Sequence, residues 1–589
     1  MKMLNQVKIT FASRSVNEGF ARAALAAFLV QLDPTVPQLA DLKTAVSEAV
    51  TNCIVHAYPD SIGDITVQMR LFENGRTVVH QHEPADRNCG GNAMKKSKFR
   101  LMALMMALLL TLTSCSRESS LAPAETLPPP SAPYAAPTDD SGLDYEQDVA
   151  LYLPAKNGQT MLCFWRTAAL RYDQMPAEAV LQLLLQEEGD GSAVPLKDYG
   201  NVSLAQGSAV TTAGHVCTVD LSSAALQMGI HELYTVCLSI ATTLCALPDV
   251  RFVNILVAGN PVAMDVQNLL PLGALSSAEG ENLVTRWEQL VAQRTGAGGI
   301  AAQTPLSSAA VLYFPLKSGS GITCEVRQLS FDGQNAQQLV YGLLDALSAG
   351  ATDAANVPDM PDLRTMLLMA PEVTTLSSGR QSAAINLVPD ALQRISSAGI
   401  DPVCFFAALT MTLTSYIPSL EQVVYRVGDS ALTSLYSTIH GTIVLPGGMM
   451  TRANFGGLLT DEAVCYLSNG EKLRQGRLNL PASEACSLRT LLTAVLATEG
   501  FPEGLAEDDV LGVAIVDDTV LVNFSAHMAD AIRASKLNQR MMAYQLTGAL
   551  VQRYPVRRVR FFFDGEAKNT LDGDVMWAGE FLMDYVLCE

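Results

Sequence analysis

Glu48 and Asn52 stand four residues apart in a stretch, 39–56, whose apolar residues recur at helical spacing, so both side chains fall on one face of the expected helix. Taken alone, such a pair is an ordinary feature of a helix surface. The seven histidines are His56, His80, His82, His215, His231, His440 and His527, and they share no common spacing. His80 and His82 with Cys89 could ligate a metal, but a zinc site wants a second matched pair of donors, and none follows. The 12 cysteines include no Cys-x-x-Cys pair and no dense framework, so most are expected to be small buried apolar residues. No His-Glu-x-x-His helix and no Gly-x-Ser-x-Gly elbow is present. For the larger part of the chain no catalytic residue, metal or cofactor is expected.

The elements that must carry these residues belong to a long chain. At 589 residues it has room for roughly three to five domains of ordinary size. It is 49% hydrophobic and 17% charged, apolar for a soluble protein but short of a multi-span membrane protein. A formal net charge of -20 would repel phosphate backbones, which excludes DNA and RNA as expected partners.

The sharpest local signal lies inside the chain. Lys95, Lys96, Lys98 and Arg100 follow Met94 and precede an apolar run, 101–113, too short for the roughly 20 residues of a spanning helix. This is the form of a cleavable secretory signal. It ends in Leu112-Thr113-Ser114-Cys115, which resembles the lipobox of bacterial lipoproteins and implies Cys115 as a lipidated N-terminus. Residues 116–147 are rich in Pro, Ala, Ser and acidic residues, including Pro128-Pro129-Pro130, and read as a tether. At roughly 3.1 Å per residue it would reach on the order of 100 Å. Residues 94–589 are thus expected at the cell membrane, on its extracytoplasmic face.

Residues 1–80 have a pattern of their own. Residues 17–32 read as an amphipathic helix with Phe20, Ala24, Ala27 and Phe28 on one face, while 7–11 and 65–71 alternate as strands. Phe20-Ala21-Arg22, Gln31-Leu32-Asp33-Pro34-Thr35 and Val46-Ser47-Glu48-Ala49-Val50-Thr51-Asn52 resemble the anti-sigma-F factors, serine kinases of the histidine-kinase-like ATPase superfamily. The resemblance implies an α/β fragment, Asn52 as the residue holding Mg²⁺ and ATP, Glu48 as general base and Arg22 at a partner surface. In place of that family's Asp-x-Gly-x-Gly segment and Gly-rich lid, the chain continues after Val79 with His80-Gln81-His82-Glu83-Pro84-Ala85-Asp86-Arg87. Half of an α/β sandwich is therefore missing, and homology without nucleotide chemistry is expected. Residues 81–93 read as a junction, with Met94 the start of the exported part and residues 1–93 of cytoplasmic type.

Beyond the tether, three landmarks recur in order. Short strands carry Tyr152, Tyr313 and Tyr466, 161 and 153 residues apart. A second strand ends in Asp220, Asn386 or Asn523, polar positions expected to cap helices. A long amphipathic helix then ends near Pro248, Pro418 or Pro555 and feeds a strand that turns at Gly259, Gly428 or Gly565, where glycine permits positive φ. An earlier helix is expected at 177–187, 337–347 and 487–498. The class is α+β, with three small domains of a sheet and two helices at 148–275, 306–435 and 460–575. The runs from Cys217 to Ser222 and from Val257 to Val262, with Glu232-Leu233 and Leu247-Pro248 between them, resemble the GerMN domain of sporulation and spore-germination lipoproteins. The second copy departs from the pattern between Ala351 and Leu363. The resemblance implies a ring-building-motif fold and a ring-forming, noncatalytic role among envelope proteins of the sporulating cell. Two further readings stay open: an anti-sigma serine kinase with a C-terminal extension, and a binder of cell-wall carbohydrate.

Overall fold

Val7, Ile9 and Phe11 alternate with exposed Lys8 and Thr10, and the strand they form, β1 (Met3–Ala12), pairs antiparallel with β2 (Asp64–Phe72), Ile9 opposite Val67 and Phe11 opposite Ile65. A third strand, β3 (Thr77–His82), continues the sheet beyond β2 and carries His80 and His82. The computed structural model describes residues 3–12, 64–72, 77–82 and 134–588 except 201, 208, 209, 265–269, 296–304 and 429, together with Ala21, Ala24, Leu25, Phe28, Val46 and Val50. The chain divides into two units, Met1–Pro123 and Ala124–Glu589.

In the first unit Ala21, Leu25 and Phe28, spaced as one helical face, are buried with Val46, Val50, Ile65 and Val67 in a single apolar cluster. Ala24 packs against it only partly buried. Of the expected stripe, Phe28 and Ala24 lie in this cluster, to which Ala21 and Leu25 are added, while Phe20 and Ala27 lie outside the described residues.

The second unit reads a similar element order in three stretches, the second and third carrying a further short helix where the first has the 3-10 turn Ser223–Gln227. In the first, a long antiparallel ribbon of β4 (Asp144–Pro154) and β5 (Met161–Arg171) precedes α1 (Pro176–Gln186). Next come the antiparallel pair β6 (Val210–Ala213) and β7 (Val216–Leu221), α2 (Ile230–Leu244), then β8 (Phe252–Val257), parallel to β7, and β9 (Asn260–Pro261). After α3 (Leu283–Thr295), whose Trp287 packs on Tyr234 of α2 with ring centroids 5.3 Å apart, the second stretch begins. Its ribbon is β10 (Leu306–Pro315) with β11 (Ile322–Phe331), followed by α4 (Ala336–Ser348), β12 (Glu372–Thr375), β13 (Gln381–Leu387), α5 (Ala391–Ser397) and α6 (Pro402–Tyr416). The strand β14 (Leu420–Val427) runs parallel to β13, and β15 (Ser430–Ala431) turns back on it. An added hairpin, β16 (Ser434–Ser437) and β17 (Gly441–Val444), and a short β18 (Met449–Met450) complete it.

The third stretch runs through the ribbon β19 (Thr460–Ser468) and β20 (Leu473–Pro481), α7 (Leu488–Leu496), β21 (Val510–Val516) and β22 (Thr519–Phe524). It ends with α8 (Ala526–Ala534), α9 (Gln539–Arg553), β23 (Arg558–Phe563), parallel to β22, and β24 (Glu580–Phe581).

Each long helix covers the free edge of a ribbon. A ribbon of two strands leaves an edge of unpaired amides and carbonyls, and burying that edge demands partners. Side chains of the helix supply them: Thr243 of α2 accepts from the Tyr152 amide at 2.9 Å, Thr412 of α6 from the Tyr313 amide at 2.9 Å, and Gln545 of α9 from the Ser468 amide at 3.0 Å. Ser239 also donates to the Tyr152 carbonyl. This is why helices apolar enough to be buried on all sides, such as α6 with every residue from Val403 to Tyr416 buried, still carry Thr and Ser. Among the described residues no single helix is long and apolar enough to cross a membrane.

The stretches lock together. The Ala274 amide donates to the Ala309 carbonyl at 2.9 Å, Thr460 donates to the Ile322 carbonyl at 3.1 Å, and Arg477 reaches both Glu462 and Asp353 at 2.8 Å. Tyr172 of the first stretch stacks on Tyr145 at 4.2 Å and meets Tyr554 of the third edge-on at 6.3 Å. Residues 134–143 form a strap on the third stretch. Ser141 bridges Ala514 in parallel, the Ser141 amide donates to the Val513 carbonyl at 2.9 Å, and Leu143 is buried in the third core. The segment expected as tether therefore holds structure from residue 134 on, and β4 begins inside it, because Tyr134, Ala136 and Leu143 are apolar enough to dock where the Pro-rich composition suggested none would.

Candidate functional site

Arg22, Glu48, Asn52 and Cys115 all lie outside the described residues, as do His56 and Cys89. The recurrent polar positions of the body, by contrast, are fully placed. They do not cap helices. β7 and β8 end side by side, Leu221 opposite Val257, and the chain reverses through Ala258 and Gly259, at φ 50° and 77°, into Asn260. Two successive positive φ values are what a two-residue hairpin turn of the I′ kind needs. The Ala258 amide donates to the Leu221 carbonyl at 2.8 Å and the Gly259 amide to Asp220 Oδ1 at 2.9 Å. In the third stretch Asp564 and Gly565, at φ 53° and 81°, repeat the turn, with the Asp564 amide on the Phe524 carbonyl at 2.8 Å and the Gly565 amide on Asn523 Oδ1 at 3.0 Å.

The second stretch differs by one position. Gly428 occupies the first place of its turn, at φ 61°, and its amide donates to the Leu387 carbonyl at 2.8 Å. It is the counterpart of Ala258 and Asp564, not of the other two glycines. In the first and third stretches the polar residue, Asp220 or Asn523, thus ties the end of the central strand to the turn leaving its parallel neighbour. The error in the helix-cap expectation has a physical root: Asp and Asn accept amide hydrogens from turns as readily as from helix starts, and spacing along the chain does not distinguish the two. Burial pushes the Asp220 carboxyl up, against the opposing pull of the Gly259 amide and of Arg452.

Two clusters have the residue types of catalysis. In the third stretch, Asp509 Oδ1 accepts from both Ser525 Oγ and, at 2.9 Å, His527 Nδ1. Ser525 in turn accepts the Met528 amide at 3.0 Å as the N-cap of α8. Both hydroxyl and imidazole point at the carboxylate, so no imidazole stands between Ser and Asp to take the serine proton, and the arrangement fastens the start of α8. Burial works to raise the Asp509 pKa, but the hydrogen bonds from Ser525, the Ala506 amide and His527 outweigh it and hold the carboxyl below its ordinary value.

In the second stretch, the start of α6 meets the tip of the β16–β17 hairpin. Asp401 caps α6, its Oδ1 accepting the Val403 and Cys404 amides at 2.9 and 3.2 Å, while Ser437 donates to its Oδ2 at 2.5 Å. Cys404 Sγ lies 3.6 Å from His440 Nε2, and both lie against the Gly319 carbonyl, at 3.2 and 2.8 Å. Asp401, Cys404 and His440 bring their ligand atoms within 4.8 Å of one another. Burial foremost, with Asp401 beside it, pushes the Cys404 thiol up to about 12. Sequence reasoning missed this cluster. Asp401 and Cys404 sit three apart at a helix start, a weak signal, and His440 is brought in only by the added hairpin.

Residues 11–97 match the family model of the histidine kinase-like ATPase domain, and residues 150–263 match that of the sporulation and spore germination family. The first match runs beyond residue 80, over the expected junction. The anti-sigma F factor of Caldanaerobacter subterraneus subsp. tengcongensis is 53% identical over 78 residues, 13% of this chain and 54% of that protein. The anti-sigma F factor of Clostridium novyi is 51% identical over 76 residues, 13% of this chain and 53% of its own length. The chain spans about half the length of the curated relatives it matches. Among solved structures, the tandem GerMN domains of the sporulation protein GerM from Bacillus subtilis cover 52% of this chain and 99% of that chain, at 15% identity and a TM-score of 0.19. The chain is thus of two parts, an N-terminal segment similar to anti-sigma F factors and a body of which residues 150–263 match the sporulation and spore germination family.

Proposed function

We propose that the body, from residue 94 on, is a noncatalytic, lipid-anchored extracytoplasmic assembly module of sporulation or spore germination, attached through Cys115 and built of three GerMN-like domains at 148–275, 306–435 and 460–575. The observation that carries this reading is the match of residues 150–263 to the sporulation and spore germination family. The element order repeated in the three stretches supports extending it to the other two domains. Partners would be other envelope proteins, met through ribbon edges or helix faces, with a ring as the assembly the resemblance suggests. The test is complementation in sporulating cells with Cys115→Ala, alongside labelling with a radioactive fatty acid. Label on the native protein, lost in the variant together with membrane association and heat-resistant spores, is the expected result. An unlabelled wild-type protein contradicts it.

A second reading is favoured by the 53% identity to an anti-sigma F factor: a serine kinase and sigma-factor binder, with Glu48 as base, Asn52 holding Mg²⁺ and ATP, and Arg22 at the partner surface. Equilibrium binding of a fluorescent adenine nucleotide to the full chain decides between them. No Mg²⁺-dependent binding is expected, because the chain after Val79 carries neither Gly-rich loop. Measurable binding lost in Asn52→Ala would favour the kinase.

A further inference from the structure

We propose that Asp401, Cys404 and His440 form a binding site for one thiolate-preferring divalent metal ion of the zinc type. The three donors come from two separate pieces of backbone, the first turn of α6 and the tip of the β16–β17 hairpin, and their ligand atoms converge within 4.8 Å. Zinc bonds of about 2.3 Å to sulfur and 2.0–2.1 Å to nitrogen at a tetrahedral angle set S and N roughly 3.5 Å apart. Cys404 Sγ and His440 Nε2 are 3.6 Å apart. An ion seated between them takes the place of the hydrogen bonds both groups now make to the Gly319 carbonyl, which must draw back or itself face the ion.

The surroundings fit as well. Asp401 is oriented before any ion arrives: two helix amides hold its Oδ1, and Ser437, itself held by the Ile439 and His440 amides at 3.0 and 3.1 Å, donates to its Oδ2. Outer hydrogen bonds of this kind fix ligands for a metal. A carboxylate and a thiolate together neutralise a divalent charge, which offsets the repulsion a cation meets at a helix N-terminus. Cys404 is fully buried, while Asp401 and His440 are part-exposed, so the cluster can be reached from solvent. Binding exchanges protons for the ion. The thiol gives up the hydrogen it now directs at the Gly319 carbonyl, and the imidazole, whose Nε2–H donates to the same carbonyl, must shift its hydrogen to Nδ1 to free the Nε2 lone pair for the ion. The metal ion itself drives the thiol to its ligand form in spite of burial.

The test uses the full chain, prepared with chelator and reductant and then titrated with Zn²⁺ by equilibrium dialysis and with Co²⁺ by absorption. Wild type is expected to bind one more equivalent of Zn²⁺ than Cys404→Ser or His440→Gln, and to show a thiolate-to-cobalt charge-transfer band that Cys404→Ser lacks. Zn²⁺ should raise the thermal midpoint of wild type and not of the variants. Donors elsewhere, His80 and His82 included, are unchanged in the variants and cancel. Part-exposed His440 makes its variant the safeguard should Cys404→Ser fail to fold. Equal stoichiometry in wild type and His440→Gln, or a cobalt spectrum without the charge-transfer band, overturns the site.

Discussion

Asn523 accepts the Gly565 amide on Oδ1 at 3.0 Å and, through Nδ2, donates to the Pro137 carbonyl at 2.9 Å. One buried amide side chain therefore joins the turn after β23 to the strap. Asn523→Ala leaves the buried Pro137 carbonyl without its partner, while the exposed Gly565 amide can turn to water, and is expected to cost about 1–3 kcal/mol. Asn523→Asp keeps the acceptor but sets a carboxylate against the Pro137 carbonyl, and should destabilise at pH 7. In the first stretch the same place holds Asp220, whose pKa burial already raises, so Asp220→Asn should be neutral or stabilising at pH 7. Urea unfolding of the three variants checks the contrast.

Thr412 tests the covering of ribbon edges. Thr412→Val keeps the shape but removes the acceptor of the Tyr313 amide, and a loss of about 1–3 kcal/mol is expected. Thr412→Ser, which keeps the hydroxyl, should lose clearly less. Equal losses in the two would mean that packing alone holds α6 against β10.

The pH dependence of Asp509 follows from its lowered folded-state pKa. A carboxyl with a folded pKa below the unfolded value, about 3.9, stabilises fully above that value and loses the contribution as pH falls through the folded pKa. Asp509→Asn should therefore lower the thermal midpoint at pH 7, and the gap to wild type should narrow by about pH 3. A gap independent of pH would show that the carboxylate charge contributes nothing.

The strap is held by charge as well as by strand pairing. Arg489 grips Asp140 through two nitrogens at 2.8 and 3.2 Å, and Asp140 Oδ1 accepts the Val513 amide at 3.1 Å. Arg489→Met should free residues 134–143 for cleavage by a nonspecific protease while the rest of the body stays resistant. Mass mapping of early cuts that finds none in this segment would contradict the docking.

Much of this order could be read in the sequence because helical and strand periodicities are local. The helix expected at 177–187 is α1 at Pro176–Gln186, the strand expected to turn at Gly565 is β23 at Arg558–Phe563, and Gly259, Gly428 and Gly565 all take positive φ. What escaped was whatever depends on a distant partner. The second ribbon strands β5, β11 and β20 were not expected; β5 exposes alternate residues, Trp165 among them, and gives no continuous apolar signal. Asp220 and Asn523 were recognised as recurrent but assigned to helix starts, since their true partners lie 39 and 42 residues on. The Asp401–Cys404–His440 cluster exists only through a hairpin the other two stretches lack.

The central claim, an anchored body that works apart from residues 1–93, is tested most directly by the intact mass and N-terminus of the native protein from sporulating cells. A chain beginning at acylated Cys115 is the predicted result. A full-length species beginning at Met1, with an unmodified Cys115, would contradict the account and return the ATPase-like segment to the centre of the protein's function.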